Sequence, residues 1–267
     1  MRQPITVIKI SGHYLDDQDL LRQFAQNVAG ADEQVVIVHG GGAEITQLQR
    51  KLGIRPRYVD GLRVTDAESL ALVEMALCGT VNKRLVRHLL AAGLDAQGLS
   101  GVDRGLVRAR QMPHDQVDMG FTGTVVSVRA AVLRDLFALG VTPVIAPVSL
   151  GEGSNFNLNA DPVAGAVAAA LGADTVVYIS NVAGVRARGE IIPRLTRREA
   201  ENLIASGVIS GGMIPKVRSA LDVLSSGARR AVITDLAGWA RGGGTSLVWE
   251  ENERMISEGS CQLQQML

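Results

Sequence analysis

The chain has 267 residues, of which 46% are hydrophobic and 20% charged. That composition excludes a disordered or fibrous protein and suits one large α/β domain or two lobes. Basic and acidic residues number 27 each and aromatics only 3%, so neither a net field nor a stacking platform favours nucleic acid or an anionic membrane.

Cys78 and Cys261 are too few for a disulfide scaffold or a zinc cluster. The first apolar run is short and contains Lys9, which argues against a signal peptide. The longest small-apolar stretch, Val163–Ala173, is too short to span a bilayer. A cytoplasmic protein is expected, with no membrane partner.

Strand and helix patterns alternate along the chain. Thr6–Ile10 is a β-branched run ending at Ser11-Gly12, and Leu20–Ala29 has helical spacing. Val35–Val38 reads as a strand buried on both faces. It runs straight into His39-Gly40-Gly41-Gly42, after which Ile45, Leu48 and Leu52 mark a helix stopped by Gly53. Thr65 and Glu68 have the spacing of a capping box. Val81, Leu85 and Leu89 continue a helical stripe to Gly93, and 97–101 reads as a loop. Strand-like pieces over 102–128 suggest a hairpin, followed by a helix from about Ala130 to Leu139 and a strand over Val141–Pro147.

The second half continues the alternation. Glu152–Asn159 reads as a polar loop. Asp161-Pro162 then opens an alanine-rich helix, with Asp161 as N-cap. Strands are predicted at Thr175–Ile179, Ala231–Thr234 and Thr245–Trp249, and helices at Thr196–Ala205 and Ile214–Leu224. Thr196 and Glu199 form a second capping-box pattern. The tail after Glu250 is polar and reads as frayed. Repeated βα units predict a mainly parallel sheet with helices on both faces.

The chemistry concentrates at strand–helix junctions. Three glycines at 40–42 leave backbone N–H groups open to an anion at a helix start, whereas a tight turn alone needs one glycine. The common alternatives fail on spelling. No G-x-G-x-x-G follows the first strand, and Gly93–Gly98 has P-loop spacing but Leu99 where lysine is required. There is no G-x-S-x-G elbow and no H-E-x-x-H. Lys9 on an apolar strand is either a snorkelling strand-end residue or a paired buried cation. Locally, Lys216 reads as a solvated helix residue, Asp161 as a cap, Asn157 as a loop former and Arg63 as surface or a carboxylate clamp. Two lysines, glycine turns and an acid together suit phosphoryl transfer, which needs positioning and charge neutralisation more than a nucleophile–base pair.

The ordered strings KISG (9–12), HGGG (39–42), DGLRVTDAE (60–68), VNK (81–83), GLSG (98–101), NLNAD (157–161), SNVAG (180–184) and GGMIPKV (211–217) resemble the amino acid kinase family over nearly the whole chain. Within it, they are most similar to the branch that phosphorylates N-acetyl-L-glutamate. The resemblance implies an α/β three-layer sandwich around a central, mainly parallel sheet in two lobes. Residues 1–150 would bind the acyl amino acid and carry a homodimer contact, and 151–267 would bind ATP.

It further implies that Lys9 and Lys216 neutralise the moving phosphoryl group while Asp161 orients them. Gly41 and Gly42 would hold the acyl substrate through their amides, Arg63 its α-carboxylate and Asn157 its amino-acid part. Gly12, Asn181, Gly184 and Lys216 would contact the nucleotide, and Mg2+ would be held mainly through ATP phosphates, with no protein metal cage. Ser11 departs from a usual family glycine but still offers an N–H. The near-immediate start of the first strand suggests a dimer insensitive to arginine. Two rivals stay open: the N-acetyl-aminoadipate branch, one methylene longer, and a non-catalytic metabolite-binding regulator on the same fold.

Overall fold

A computed structural model describes residues 3–249, so the polar tail and Cys261 lie outside the described residues. Its central sheet has eight strands. From edge to edge they are Arg194–Thr196, Thr245–Val248, Arg230–Thr234, Thr175–Ile179, Ile5–Ile10, Gln34–His39, Thr142–Ala146 and Ala96–Ser100. The last six are mutually parallel, and Thr245–Val248 runs antiparallel to Arg230–Thr234. This is the expected α/β sandwich with a mainly parallel sheet.

Alternation along each strand sends side chains to two separate cores. Ile5, Val7, Val36, Val38, Val176 and Tyr178 face one, and Ile8, Ile10, Val35, Ile37, Val177 and Ile179 face the other. Lys9 shares the face of Ile5 and Val7. That face is covered by the Ala160–Leu171 helix, whose Val163, Ala164, Val167 and Ala168 are fully buried. Gly165 of this helix lets the Met213–Ser225 helix approach: an added Cβ would meet Val223 Cγ2 at 2.9 Å.

The Ile5–Ile10 strand is where the topology switches direction. Its first successor, Gln34–His39, pairs on one side, and Thr175–Ile179 pairs on the other. A crevice therefore opens outside the carboxyl ends of these three strands, the usual ligand position in such sheets. Residues 11–12, 40–42 and 180–184 all lie there.

Several local expectations need correction. The 97–101 segment is an edge strand, Ala96–Ser100, because Thr142–Ala146 supplies its pairing partner. Half of the 152–159 loop is a strand, Asn155–Leu158, which closes a small barrel with Val107–Gln111, Thr122–Val128 and Val148–Leu150. The predicted 102–128 hairpin is the antiparallel pair inside that barrel. Asp66, not Thr65, caps the Ala67–Glu74 helix by accepting from Ser69 N at 2.8 Å. Thr65 is instead buried beside Thr122 and Asn157. The Thr196–Glu199 capping box is present as read. From Met75 to Val81 the chain widens into a π-helix before continuing as Asn82–Ala91.

Candidate active site

The crevice contains a cavity of about 790 Å³, lined among others by Lys9, Gly12, Gly41, Gly42, Arg63 and Asn157. Lys9 Nζ lies 2.8 Å from Asp161 Oδ1, with both side chains mostly buried. The sheet geometry makes this pair: Lys9 leaves the strand towards the Ala160–Leu171 helix, whose first turn presents Asp161. Asp161 is not the N-cap. Asn159 takes that place, its Oδ1 accepting from Asp161 N at 3.2 Å, so the Asp161 carboxylate is free to meet the lysine.

Two glycine turns form the floor. A Cβ on Gly12 would lie 3.1 Å from Gly41 N, and one on Gly41 would lie 2.5 Å from Leu77 Cδ2. The backbones touch where any side chain would hold them apart. Gly41 and Gly42 precede the first helical hydrogen bond, Ile45 N to Gly41 O at 3.2 Å, so their amides belong to the unpaired start of the Gly42–Lys51 helix. Ser11 is extended, at φ −69° and ψ 144°, which any L-residue adopts. Its N–H donates to Ile179 O at 3.0 Å. The Ser11 N–H is thus used in the sheet.

Arg63 sits on a hairpin, Arg57–Val59 with Leu62–Val64, turned by Asp60 and Gly61 at positive φ. The Asp-Gly pair is a type I′ signal that the sequence reading passed over. Arg63 is 8% exposed. Its guanidinium donates to Gln49 Oε1, to Gly42 O at 3.1 Å and to Thr46 Oγ1 at 2.9 Å. Tyr58 stacks 5.0 Å from it. Burial lowers its pKa from the ordinary value, with Tyr58 opposing the shift. Asn157 Nδ2 donates to Thr65 Oγ1 at 3.0 Å.

Arg84, which the sequence reading left without a role, braces the floor from outside. Its Nη1 contacts Leu15 O at 2.6 Å, Asp16 Oδ1 at 2.7 Å and Glu44 Oε1 at 3.2 Å. It thereby ties the turn after the first strand to the Gly42–Lys51 helix. Burial, then nearby Asp16, pushes the Glu44 carboxyl upward, and Arg84 acts against them.

Asn181 and Gly184 line a second cavity of about 420 Å³, together with Met213 and Asp235. Gly184 is packed too closely for a side chain: a Cβ would lie 2.8 Å from Thr245 Oγ1. Lys216 lines neither cavity. It donates to Gly212 O, one helical turn back, at 3.4 Å. The structure thus brings together Lys9, Asp161, Gly12, Gly41, Gly42, Arg63 and Asn157. It places Asn181 and Gly184 in a second cavity, and Lys216 lines neither.

The amino acid kinase family profile matches residues 4–235. The chain belongs to the amino acid kinase family. An acetylglutamate kinase of Roseiflexus castenholzii is 53% identical over 237 residues, covering 89% of this chain and 92% of that protein. Among solved structures of similar fold, a Streptococcus mutans protein (smu.665) superposes with a TM-score of 0.79 at 32% identity, covering 92% of this chain and 99% of its own. The N-acetylglutamate synthase of Neisseria gonorrhoeae, solved with coenzyme A and N-acetyl-glutamate, superposes at 0.82 with 26% identity, over 94% of this chain and 60% of its own. Among the described residues, no helix is long and apolar enough to cross a membrane.

Proposed function

We infer that the chain is an acetylglutamate kinase, transferring the γ-phosphoryl group of ATP to the side-chain carboxylate of N-acetyl-L-glutamate. The observation that carries this reading is the Lys9–Asp161 pair in the cavity that also presents Arg63 and Asn157. The relatives' activity agrees with it.

The side-chain carboxylate is already ionised at neutral pH, so it attacks phosphorus without a general base. The oxygen–phosphorus bond to ADP breaks as the acyl phosphate forms. Negative charge spreads over the transferring group, and neutralising it is the main catalytic task. In this reading Lys9 and Lys216 neutralise that charge, with Asp161 orienting Lys9. Gly41, Gly42 and Gly12 supply amides, Arg63 holds the α-carboxylate, and Asn157 holds the acetylated amino-acid part. Asn181 and Gly184 belong to the nucleotide cavity.

Among the described residues, no group of three or more His, Cys, Asp or Glu could hold a metal. In this reading a magnesium ion is carried on ATP phosphate oxygens and water and would supply charge neutralisation when bound. In the same reading residues 1–150 form the acid-binding lobe and a homodimer contact, and 151–267 form the ATP lobe.

ADP release from magnesium-ATP, with N-acetyl-L-glutamate and N-acetyl-L-aminoadipate compared side by side, tests this reading. A preference for the glutamate compound is expected. Preference for the longer acid would move the substrate, and turnover of neither would overturn the activity. Sedimentation in the same buffer reads the dimer.

A further inference from the structure

Behind the glycine floor lies a buried polar chain that the reaction as described leaves unused. His39 and Asn82 are both 0% exposed. His39 Nδ1 lies 2.8 Å from Gly40 O, and His39 Nε2 lies 3.1 Å from Asn82 Nδ2. Asn82 Nδ2 also donates to Val144 O at 3.0 Å, and its Oδ1 accepts from Lys83 Nζ at 3.2 Å.

Both ends fix the direction of the chain. Gly40 O and Val144 O are carbonyls and can only accept. Nδ1 of His39 must therefore carry the proton, and Nε2 must accept from Asn82. The imidazole is neutral and holds one tautomer. Asn82 also packs directly on Gly98, where a Cβ would lie 1.9 Å from its Oδ1.

The consequence falls on one peptide. In a trans peptide the C=O of Gly40 and the N–H of Gly41 point in opposite directions. A hydrogen bond that draws the Gly40 carbonyl back towards His39 turns the Gly41 N–H away from it, to the side where Gly12 and the cavity lie. Free glycine peptides would otherwise sample both orientations.

We propose that His39 and Asn82 are positioning residues that aim the Gly41 amide into the reaction cavity by holding the Gly40 carbonyl. The proposal rests on the phosphoryl-transfer reading for its catalytic consequence. Neither residue touches substrate. A preorganised amide donor contributes to the transition state without reorganising during the reaction.

The test uses the full-length chain and three replacements of His39. Asparagine keeps a donor near the Nδ1 position, glutamine keeps one near Nε2, and leucine keeps neither. His39→Leu is expected to lower kcat by about 10- to 100-fold, the scale for a misplaced transition-state donor, with KM for ATP unchanged. His39→Asn is expected to recover most of that loss, and His39→Gln less. Equal kcat in all three variants, or a loss shared equally by kcat and KM, overturns the proposal.

Should His39→Leu not fold, Asn82→Ser opens the far end of the chain and is expected to lower kcat with KM for ATP unchanged; wild-type kcat there overturns the proposal. A second readout does not depend on turnover. Amide exchange at Gly41 should change in His39→Leu and return in His39→Asn, while that of Val36 in the adjoining strand stays fixed. No turnover by the wild type would count against the kinase reading alone, and unaltered Gly41 exchange would count against the positioning role.

Discussion

Lys9 and Lys216 carry the same charge towards the same proposed reaction, but the protein holds them differently. Lys9 rises from a central strand, is mostly buried and meets Asp161 at 2.8 Å. Lys216 lies on a helix near the surface and donates to a backbone carbonyl of its own first turn at 3.4 Å. The surroundings follow suit. Arg63 is fixed by three side-chain and backbone partners, and the glycine floor is held by Arg84 outside and His39 beneath. The surroundings of Lys9 are thus assembled from interlocked contacts, whereas Lys216 is held by a local one. A cation held in an ion pair contributes to folding as well as to chemistry. One held by its own helix is free to serve chemistry alone.

Removing each lysine breaks that comparison most directly. Lys9→Ala and Lys216→Ala should each lower kcat by roughly 100- to 1,000-fold, the cost of losing a transition-state charge donor. Only Lys9→Ala should also lower the melting temperature, because it leaves the Asp161 carboxylate mostly buried without its cation. Thermal unfolding of the two variants under one buffer condition reads the difference. Equal melting temperatures would show that the Lys9 pair adds nothing to the fold.

Acid should also act on the glycine floor beside Lys9. All four histidines lie before residue 115, and His39 is the fully buried one among the described residues. Burial, with the Lys83 charge adding to it, holds its pKa down at about 4 despite the bond to Gly40. The unfolded chain binds a proton at this site near pH 6.5 and the folded chain only near pH 4, so stability falls as pH drops through that window. The loss from this one group is at most on the order of 3 kcal/mol. Denaturant titrations of wild type and His39→Asn between pH 7 and pH 4.5 check it. Parallel pH profiles for the two proteins would remove His39 as the cause.

Arg63 sharpens the contrast from the substrate side. Arg63→Gln should raise KM for N-acetyl-L-glutamate by roughly 10- to 50-fold, the scale of a lost charge-assisted hydrogen bond, and leave KM for ATP unchanged. Initial rates with one substrate varied at a time measure both. A matched rise in both constants would mean that Arg63 shapes the whole crevice and not the acid end alone.

How far this division was legible in the sequence depended on the range of the cause. Strands of the central sheet were readable because apolar runs such as Val35–Val38 and Thr175–Ile179 declare burial locally. The edge strand Ala96–Ser100 and the barrel strand Asn155–Leu158 were not, because their composition is that of loops and only a distant partner makes them pair. The floor glycines were legible from their spacing. The role of Asn82 was not, since its partners Val144 and His39 are 62 and 43 residues away. The fate of the Ser11 N–H was likewise decided by a strand far along the chain. Arg63 was ambiguous as a residue, although the Asp60-Gly61 turn in front of it was a signal for the hairpin that places it.

The smallest effect tests the misread cap at Asp161. If Asp161 capped its helix, Asp161→Asn would preserve the cap, and Asn159→Ala would cost nothing. With Asn159 as the cap, Asn159→Ala should cost about 1 kcal/mol of stability. Asp161→Asn should instead lower kcat strongly with the cap intact, because its loss falls on Lys9. The two neighbours, two residues apart on one helix turn, should therefore separate stability from turnover. Urea unfolding paired with ADP release on both variants shows whether they do. A drop in turnover for Asn159→Ala as large as that for Asp161→Asn would mean that the helix start is one unit, in which cap and carboxylate cannot be assigned separate work.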